Sequence, residues 1–273
     1  MKARIWGTRG SLPSPGPDTF RYGGNTSCIA LEAEGRTLIM DAGTGIRLAG
    51  QGLGPGRVDV LLTHLHMDHI QGLGFFPPLF APGREVHLWG PPSTLRTLKR
   101  RLGRYFSPPL FPVRLPDLPS KLICHDVVDD TWEIGPFRVS GQLVCHPDPT
   151  LGYRVEHGDR VFCYLPDHEP QLGAAVKDPG WLSGFRLAEG ADLLVHDAQS
   201  SEDEYATRRG WGHATPEVAV AFAELVAARR LLLFHHDPAH DDGLVEDLAE
   251  HARAVAPRDL RVEPAAEGQT WTV

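Results

Sequence analysis

Apolar residues along this chain come in short runs broken by glycine, proline and asparagine, a pattern that predicts a sheet-rich fold with a few helices. KARIW, TSCIALEA and RTLIMDAG, starting at Lys2, Thr26 and Arg36, read as strands because β-branched and apolar residues lie between turn formers. Their close succession predicts an antiparallel start. VDVLLT, from Val58, is an apolar strand without alternation, which predicts burial on both faces. A helix is predicted from Ser93 to about Tyr105, capped by Ser93, with Leu95, Leu98 and Leu102 as its apolar stripe. FRVSGQLVCH reads as a strand, LGYRVEHGDRVFCYLPD as a hairpin turning at His157-Gly158-Asp159, and ADLLVHDA as a further strand. TPEVAVAFAELVAARR predicts a helix with Thr215 as N-cap, Pro216 at its first position and Val218, Phe222 and Leu225 on one face. It feeds the strand LLLFHHD. The helix LVEDLAEHARAVA and the strand QTWTV complete the pattern, and since no linker or repeat divides it, one domain over residues 1–273 is expected.

A chain of 273 residues with 41% hydrophobic content can bury a full core. MKARIWGTRGSLPSP lacks the apolar stretch of a signal peptide, and no run of about 18 apolar residues follows, so a cytoplasmic protein without membrane contact is expected. A net charge of −8 disfavours binding a long polyanion over the whole surface, while leaving room for a local basic patch or bound cations. Cys28, Cys124, Cys145 and Cys163 show no C-x-x-C spacing and read as small hydrophobes; Cys145 stands out because it adjoins His146. Homo-oligomerisation is left open.

Fourteen histidines are the unusual count, and three of them crowd with an aspartate into HLHMDH, residues 64–69. In extended backbone residues two apart point the same way, so His64 and His66 can chelate one ion, while the turn that follows swings Asp68 and His69 toward a second. Imidazole and carboxylate donors suit zinc, manganese or iron.

HLHMDH resembles the signature of the metallo-β-lactamase superfamily, and the downstream strand ends resemble its remaining motifs in order, over nearly the whole chain. The resemblance implies a four-layer αββα sandwich of the α/β (α+β) class, with metals at one edge of two sheets. It also implies two divalent ions per chain, zinc foremost. By the same resemblance His146 in LVCHPD completes the first metal site, Asp167 in YLPDHE bridges both metals, and His235 in LLLFHHDP is the last ligand. Asp41 in IMDAGTG would then hold the histidine loop by hydrogen bonds, unless it is an ordinary turn aspartate.

ADLLVHDAQ and GWGHATPEVAVAFAE are similar to the phosphodiesterase branch that includes the tRNA 3′-end endonuclease RNase Z, and WGTRGSLPSP and YGGNTSC to bacterial hydrolases whose glycine-rich backbone approaches the metal loops closely. In that branch a histidine at a helix head, paired with an acid, serves the leaving group; here these would be His213 and Asp197. Asp68 would orient a water activated between the ions for attack on phosphorus. RNase Z carries a long tRNA-gripping arm between the bridging aspartate and the next strand, whereas only residues 168–191 separate Asp167 from Asp192 here. A metal-dependent hydrolase acting on a small phosphodiester is therefore expected, with long nucleic acid disfavoured. The alternatives are a lactonase or thioesterase of the same fold, or a metal-binding sensor or redox protein without hydrolysis. Arg96, Arg100 and Arg104, spaced i, i+4, i+8, read as a solvated helix face or as a hold for phosphate. His168 and His236 depart from the family pattern and leave an additional metal contact open. His125, His157, His240, Asp241, Asp242 and His251 read as solvated.

Overall fold

A computed structural model describes residues 1–170 and 179–273. In its first half, β1 (Lys2–Gly7), β2 (Cys28–Ala33), β3 (Arg36–Met40), β4 (Val58–Leu61), β5 (Glu85–Gly90) and β6 (Lys121–Asp126) lie side by side in that order. The late strand β14 (Thr270–Thr272) returns to pair with β1 and makes this sheet seven-stranded. The second sheet orders β7 (Asp130–Ile134), β8 (Phe137–Val144), β9 (Thr150–His157), β10 (Arg160–Leu165), β11 (Leu193–Asp197), β12 (Arg230–Phe234) and β13 (Arg261–Pro264) in sequence. The helices are α1 (Ile46–Ala49), α2 (Met67–Ile70), α3 (Leu98–Tyr105), α4 (Phe185–Ala188), α5 (Glu202–Arg208), α6 (Pro216–Leu225) and α7 (Asp242–Val255).

Strand direction places the site. In the first sheet β1 is antiparallel to β2 and β2 to β3, while β3 through β6 run parallel, so β1, β3 and β4 share one direction. In the second, β9 is antiparallel to both β8 and β10, and β10 through β13 run parallel, so β8, β10, β11 and β12 also share one. The carboxyl ends of same-direction strands form an edge at which loops can converge. Between the sheets lies a core that includes Ile5, Leu31, Tyr153, Phe162, Tyr164 and Phe234. Outside the first sheet Ile46, Ile70, Leu98 and Leu102 cover Val60, Val86 and Leu88, and outside the second Leu187, Phe222 and Ala249 cover Leu194 and Leu231. The four layers are those of the αββα sandwich. β4 and β11 are buried at every position, as strands covered on both faces must be. Near the site the sheets are tied directly: Tyr153 donates its hydroxyl to the Leu62 carbonyl at 2.7 Å, and the Leu151 amide donates to the Thr63 carbonyl at 2.8 Å.

The antiparallel start, the hairpin with His157 facing Arg160 and the Thr215 cap of α6 follow the sequence pattern. Three details differ. The helix expected from Ser93 begins at Leu98, because the Thr97 side chain caps it by accepting from the Arg100 amide, whereas Ser93 only closes a local turn with the Leu95 amide. Leu95 consequently stands 87% exposed instead of joining the stripe. On α6 the buried face is Ala219, Val220, Phe222 and Ala223, with Leu225 turned outward at 42% exposure. α7 starts at Asp242, two residues earlier than its apolar run, under an Asp241 cap. Burial pushes the Cys163 thiol up to about 12 and the Cys28 thiol up as well, and no disulfide joins the four cysteines. Among the described residues no helix is long and apolar enough to cross a membrane.

Candidate metal centre

The common edge collects the histidine-rich loops. His64 and His66 follow β4, His69 lies in α2, His146 follows β8, Asp167 follows β10 and His235 follows β12. Each of three imidazoles has one nitrogen pinned by an oxygen acceptor, which leaves the other nitrogen facing its neighbours. His69 Nδ1 donates to Asp41 at 2.8 Å, His146 Nδ1 to the Gly212 carbonyl at 3.0 Å and His235 Nδ1 to Gln199 at 3.0 Å. Such outer contacts fix tautomer and ring angle. Asp41, in the left-handed region at φ 56°, also accepts from the Thr63 amide at 2.8 Å, so it clamps the start of the histidine loop instead of serving an ordinary turn.

The remaining nitrogens converge. His146 Nε2 lies 3.4 Å from His66 Nδ1, and with His64 these three offer ligand atoms within 4.8 Å of one another. His69 Nε2 and His235 Nε2 stand 3.3 Å apart and both lie 3.1 Å from Asp68 Oδ2. Asp167 reaches both groups, at 3.0 Å from His69, 3.4 Å from His235 and 3.8 Å from His64. Two acceptor nitrogens facing each other across 3.3 Å are unsatisfactory unless a cation or proton lies between. Buried His64 Nε2 has no hydrogen-bond partner among the described residues, and burial together with His69 holds His64 well below the usual imidazole range. With its Nδ1 on the Thr63 hydroxyl at 3.1 Å, this neutral imidazole presents a free Nε2 beside carboxylates, and the donor set fits divalent ions. Gly10 backs the centre: a Cβ there would come within 2.4 Å of the His235 ring, so only glycine lets the first-sheet loop approach so closely.

His213 and Asp197 lie beside this centre. His213 Nδ1 is 2.7 Å from Asp197 Oδ2, and the other carboxylate oxygen accepts from the Gln199 and Ala214 amides, each at 3.0 Å. The His213 ring stacks on His235 at 5.1 Å and meets the His146 ring edge-on at 5.3 Å. Burial by itself would push His213 down, but Asp197, aided by Asp167 and Asp68, outweighs it and raises the imidazolium to about 9.

The model of the β-lactamase superfamily domain matches residues 36–236. The chain belongs to the β-lactamase superfamily. It is a metal-dependent hydrolase of that superfamily, and its His and Asp groups can hold divalent metal. It is similar to a ribonuclease Z of Gemmatimonas aurantiaca, 27% identical over 313 aligned positions that cover 98% of this chain and 95% of the relative. The superfamily protein YhfI of Bacillus subtilis superposes with a TM-score of 0.73 at 21% identity, covering 99% of this chain and 98% of its own. A diphosphatase of the PhnP family superposes at 0.69 with 18% identity, covering 100% of this chain and 97% of its own. These two show the shared fold.

Among the other histidines His251 is exposed as its sequence reading has it, and several of the rest differ from theirs. His168 is buried, bonded to His196 at 2.9 Å and to Ser183 at 3.1 Å, and His236 donates to the Ala265 carbonyl at 2.9 Å; neither joins a donor group. His240 is buried against Glu204 at 3.0 Å, and Asp241 and Asp242 cap α7 and hold the Arg21 and Tyr22 amides, so this cluster is structural and not solvated. His125 stacks on Trp89 with ring centres 3.7 Å apart, and His157 pairs with Glu34 at 3.0 Å, while His251 is exposed. Three contributors were not singled out by the sequence. Gln199 orients His235. Arg9, fully buried, donates to the Gly23, Asp237 and His240 carbonyls and ties the β1 loop to the segment after His235. Glu169 accepts from Tyr205 at 2.7 Å, from the Gly210 amide at 2.9 Å and from the Gly212 amide at 2.8 Å. The only hint of Glu169 is its place in PDHE, beside the candidate bridging aspartate.

Proposed function

We propose that the chain is a cytoplasmic phosphodiesterase that holds two divalent ions, zinc first among the candidates, and hydrolyses small phosphodiesters. His64, His66 and His146 would hold one ion and Asp68, His69 and His235 the other, with Asp167 shared. Ions bound there supply Lewis acidity toward phosphoryl oxygens and lower the pKa of water. The chain's own groups do the rest. Asp68, fixed through Oδ2 by the Ser11 amide at 2.7 Å, orients the attacking water. His213 gives the proton on its Nε2 to the departing oxygen, while Asp197 holds the opposite nitrogen. The observation that carries this reading is the His213–Asp197 pair at 2.7 Å beside the donor cluster: an alcohol leaving group needs an acid, and acyl hydrolysis of activated esters or lactones needs one less.

Small substrates are favoured by the short 168–191 segment, of which residues 171–178 lie outside the described ones, and by the net charge of −8. The alignment with the Gemmatimonas aurantiaca relative spans 313 positions against 273 residues here, so that relative carries insertions this chain lacks. A second reading, cleavage at RNA 3′ ends, is favoured by the name ribonuclease Z shared by several relatives. One panel separates them: metal-loaded protein, with metal content measured, is offered an aryl diester, an alkyl diester, a lactone, a thioester and precursor tRNA. Turnover of both diesters with little cutting of tRNA is expected. Efficient, site-specific tRNA cleavage would transfer the assignment to RNA, and turnover confined to lactone or thioester would refute phosphodiester chemistry. Replacing His213 with alanine should leave metal content intact and slow the alkyl diester by about 10²–10⁴-fold, with a much smaller loss on the aryl diester. Loss of metal would instead make His213 a ligand, a role its place within 4.8 Å of Asp167 and His235 donor atoms permits.

A further inference from the structure

Beside the histidine cluster opens a cavity of about 790 Å3 whose lining, His66 apart, none of the roles above uses. His66 and Asp148, 3.2 Å apart, line it together with the apolar Met67, Leu95 and Leu110 and with Arg104. Its volume falls in the range of roughly 300–1,000 Å3 typical of small-molecule sites. The three apolar side chains are 52%, 87% and 72% exposed, although burial elsewhere in the fold covers most residues of their kind. Apolar surface gathered at one concavity beside a reactive centre is characteristic of ligand recognition. The two arginines on the lining differ in their engagement. Arg101 is committed to the protein, donating to the Pro91 carbonyl and to Asp126 at 3.3 Å. The guanidinium of Arg104 has no hydrogen-bond or ion-pair partner among the described residues. Tyr105 presents its ring to the same cavity while its hydroxyl is fixed on the Gln71 carbonyl at 2.7 Å. Neither His213 nor Asp197 lines it, so the cavity lies away from the proposed departure route of the alcohol.

We infer that this cavity is the subsite for the ester group that stays on phosphorus, and that it takes a flat, largely apolar group of nucleoside size bearing a second anion, which Arg104 receives. The inference rests on the phosphodiesterase reading and narrows it to nucleotide-like diesters. The arginine arrangement read from the sequence changes accordingly: Arg96 precedes α3, Arg100 is exposed off the lining, and only Arg104 of the three reaches the cavity.

Three probes with one leaving group test it: methyl p-nitrophenyl phosphate, thymidine 5′-(p-nitrophenyl phosphate), and the latter carrying a 3′-phosphate. Each added group should raise kcat/KM by about tenfold or more, the 3′-phosphate step being what a charge-assisted hydrogen bond supports. Arg104→Ala should abolish the 3′-phosphate gain through KM, Leu95→Ser should reduce the thymidine gain, and Arg100→Ala should leave both ratios unchanged. Both Arg104 and Leu95 are exposed, so neither change threatens folding. Calorimetric titration of metal-loaded protein with thymidine 3′,5′-bisphosphate supplies a readout that needs no turnover: Arg104→Ala should weaken its Kd by about tenfold. Ratios and Kd equal to those of the unaltered protein would overturn the subsite even with diester cleavage intact. Absence of cleavage on all three probes would instead refute the phosphodiesterase reading, and the titration would still decide whether Arg104 receives the anion.

Discussion

Glu169 and Gly212 form a relay of contacts behind two site histidines. The buried carboxylate takes the Gly212 amide at 2.8 Å, the Gly212 carbonyl takes the Nδ1 proton of His146 at 3.0 Å, and His213 is the next residue along the chain. A Cβ on Gly212 would lie 2.2 Å from His146 Nδ1, and its φ of 91° also favours glycine. Loosening the carboxylate should therefore be felt at the metal: Glu169→Ala is expected to weaken metal retention, by less than the roughly 10- to 100-fold that loss of a direct contact to a ligand costs, as read by competition with a chromophoric chelator. His213 yields a pH prediction. Its pKa, raised to about 9, keeps the imidazolium intact through neutrality, so hydrolysis of an alkyl diester should hold until pH rises through about 9 and then fall, while an aryl diester lacks that alkaline limb. Asp197→Asn removes the principal charge that lifts the imidazole, and the limb should move toward lower pH.

At the scale of elements, α3 offers a clean comparison of two candidate caps. Thr97→Ala should cost about 1 kcal/mol of stability, the ordinary worth of an N-cap, and Ser93→Ala only a few tenths, both measured by denaturant titration. The reverse order would restore the longer helix. This element also shows where sequence pattern loses force. Pro91 and Pro92 precede two polar residues able to cap, Ser93 and Thr97, and leucines spaced three and four residues apart fit either start. The centre was far more legible, because ligation requires particular side chains at particular spacings, and HLHMDH at the end of an apolar strand satisfies both. β5, β6 and β7 escaped the pattern for a physical reason. HLW and ICH carry imidazole and indole groups that pack on one another, Trp89 on both His125 and Trp132, so their strands lack the simple apolar alternation. Arg9 was equally hidden, since an arginine that satisfies itself on carbonyls from distant segments has no local signature.

Across the whole molecule, both sheets contribute to one central core, which leads us to propose that residues 1–273 unfold as a unit. A calorimetric scan of the metal-loaded protein should show one transition, and two resolved transitions would divide the chain into separate domains. Removing metal with a chelator should lower that stability by about 2.7 kcal/mol if free metal stood at about 100 times its Kd, and more at higher saturation. The proposed donors come from both halves: His64, His66, Asp68 and His69 from the first sheet's edge, His146, Asp167 and His235 from the second's. That division has a consequence in time. An ion held by donors from both edges would link them, so its binding should slow the parting of the sheets. Amide exchange at Leu151, whose proton crosses to Thr63, should then accelerate in step with metal loss and not before it.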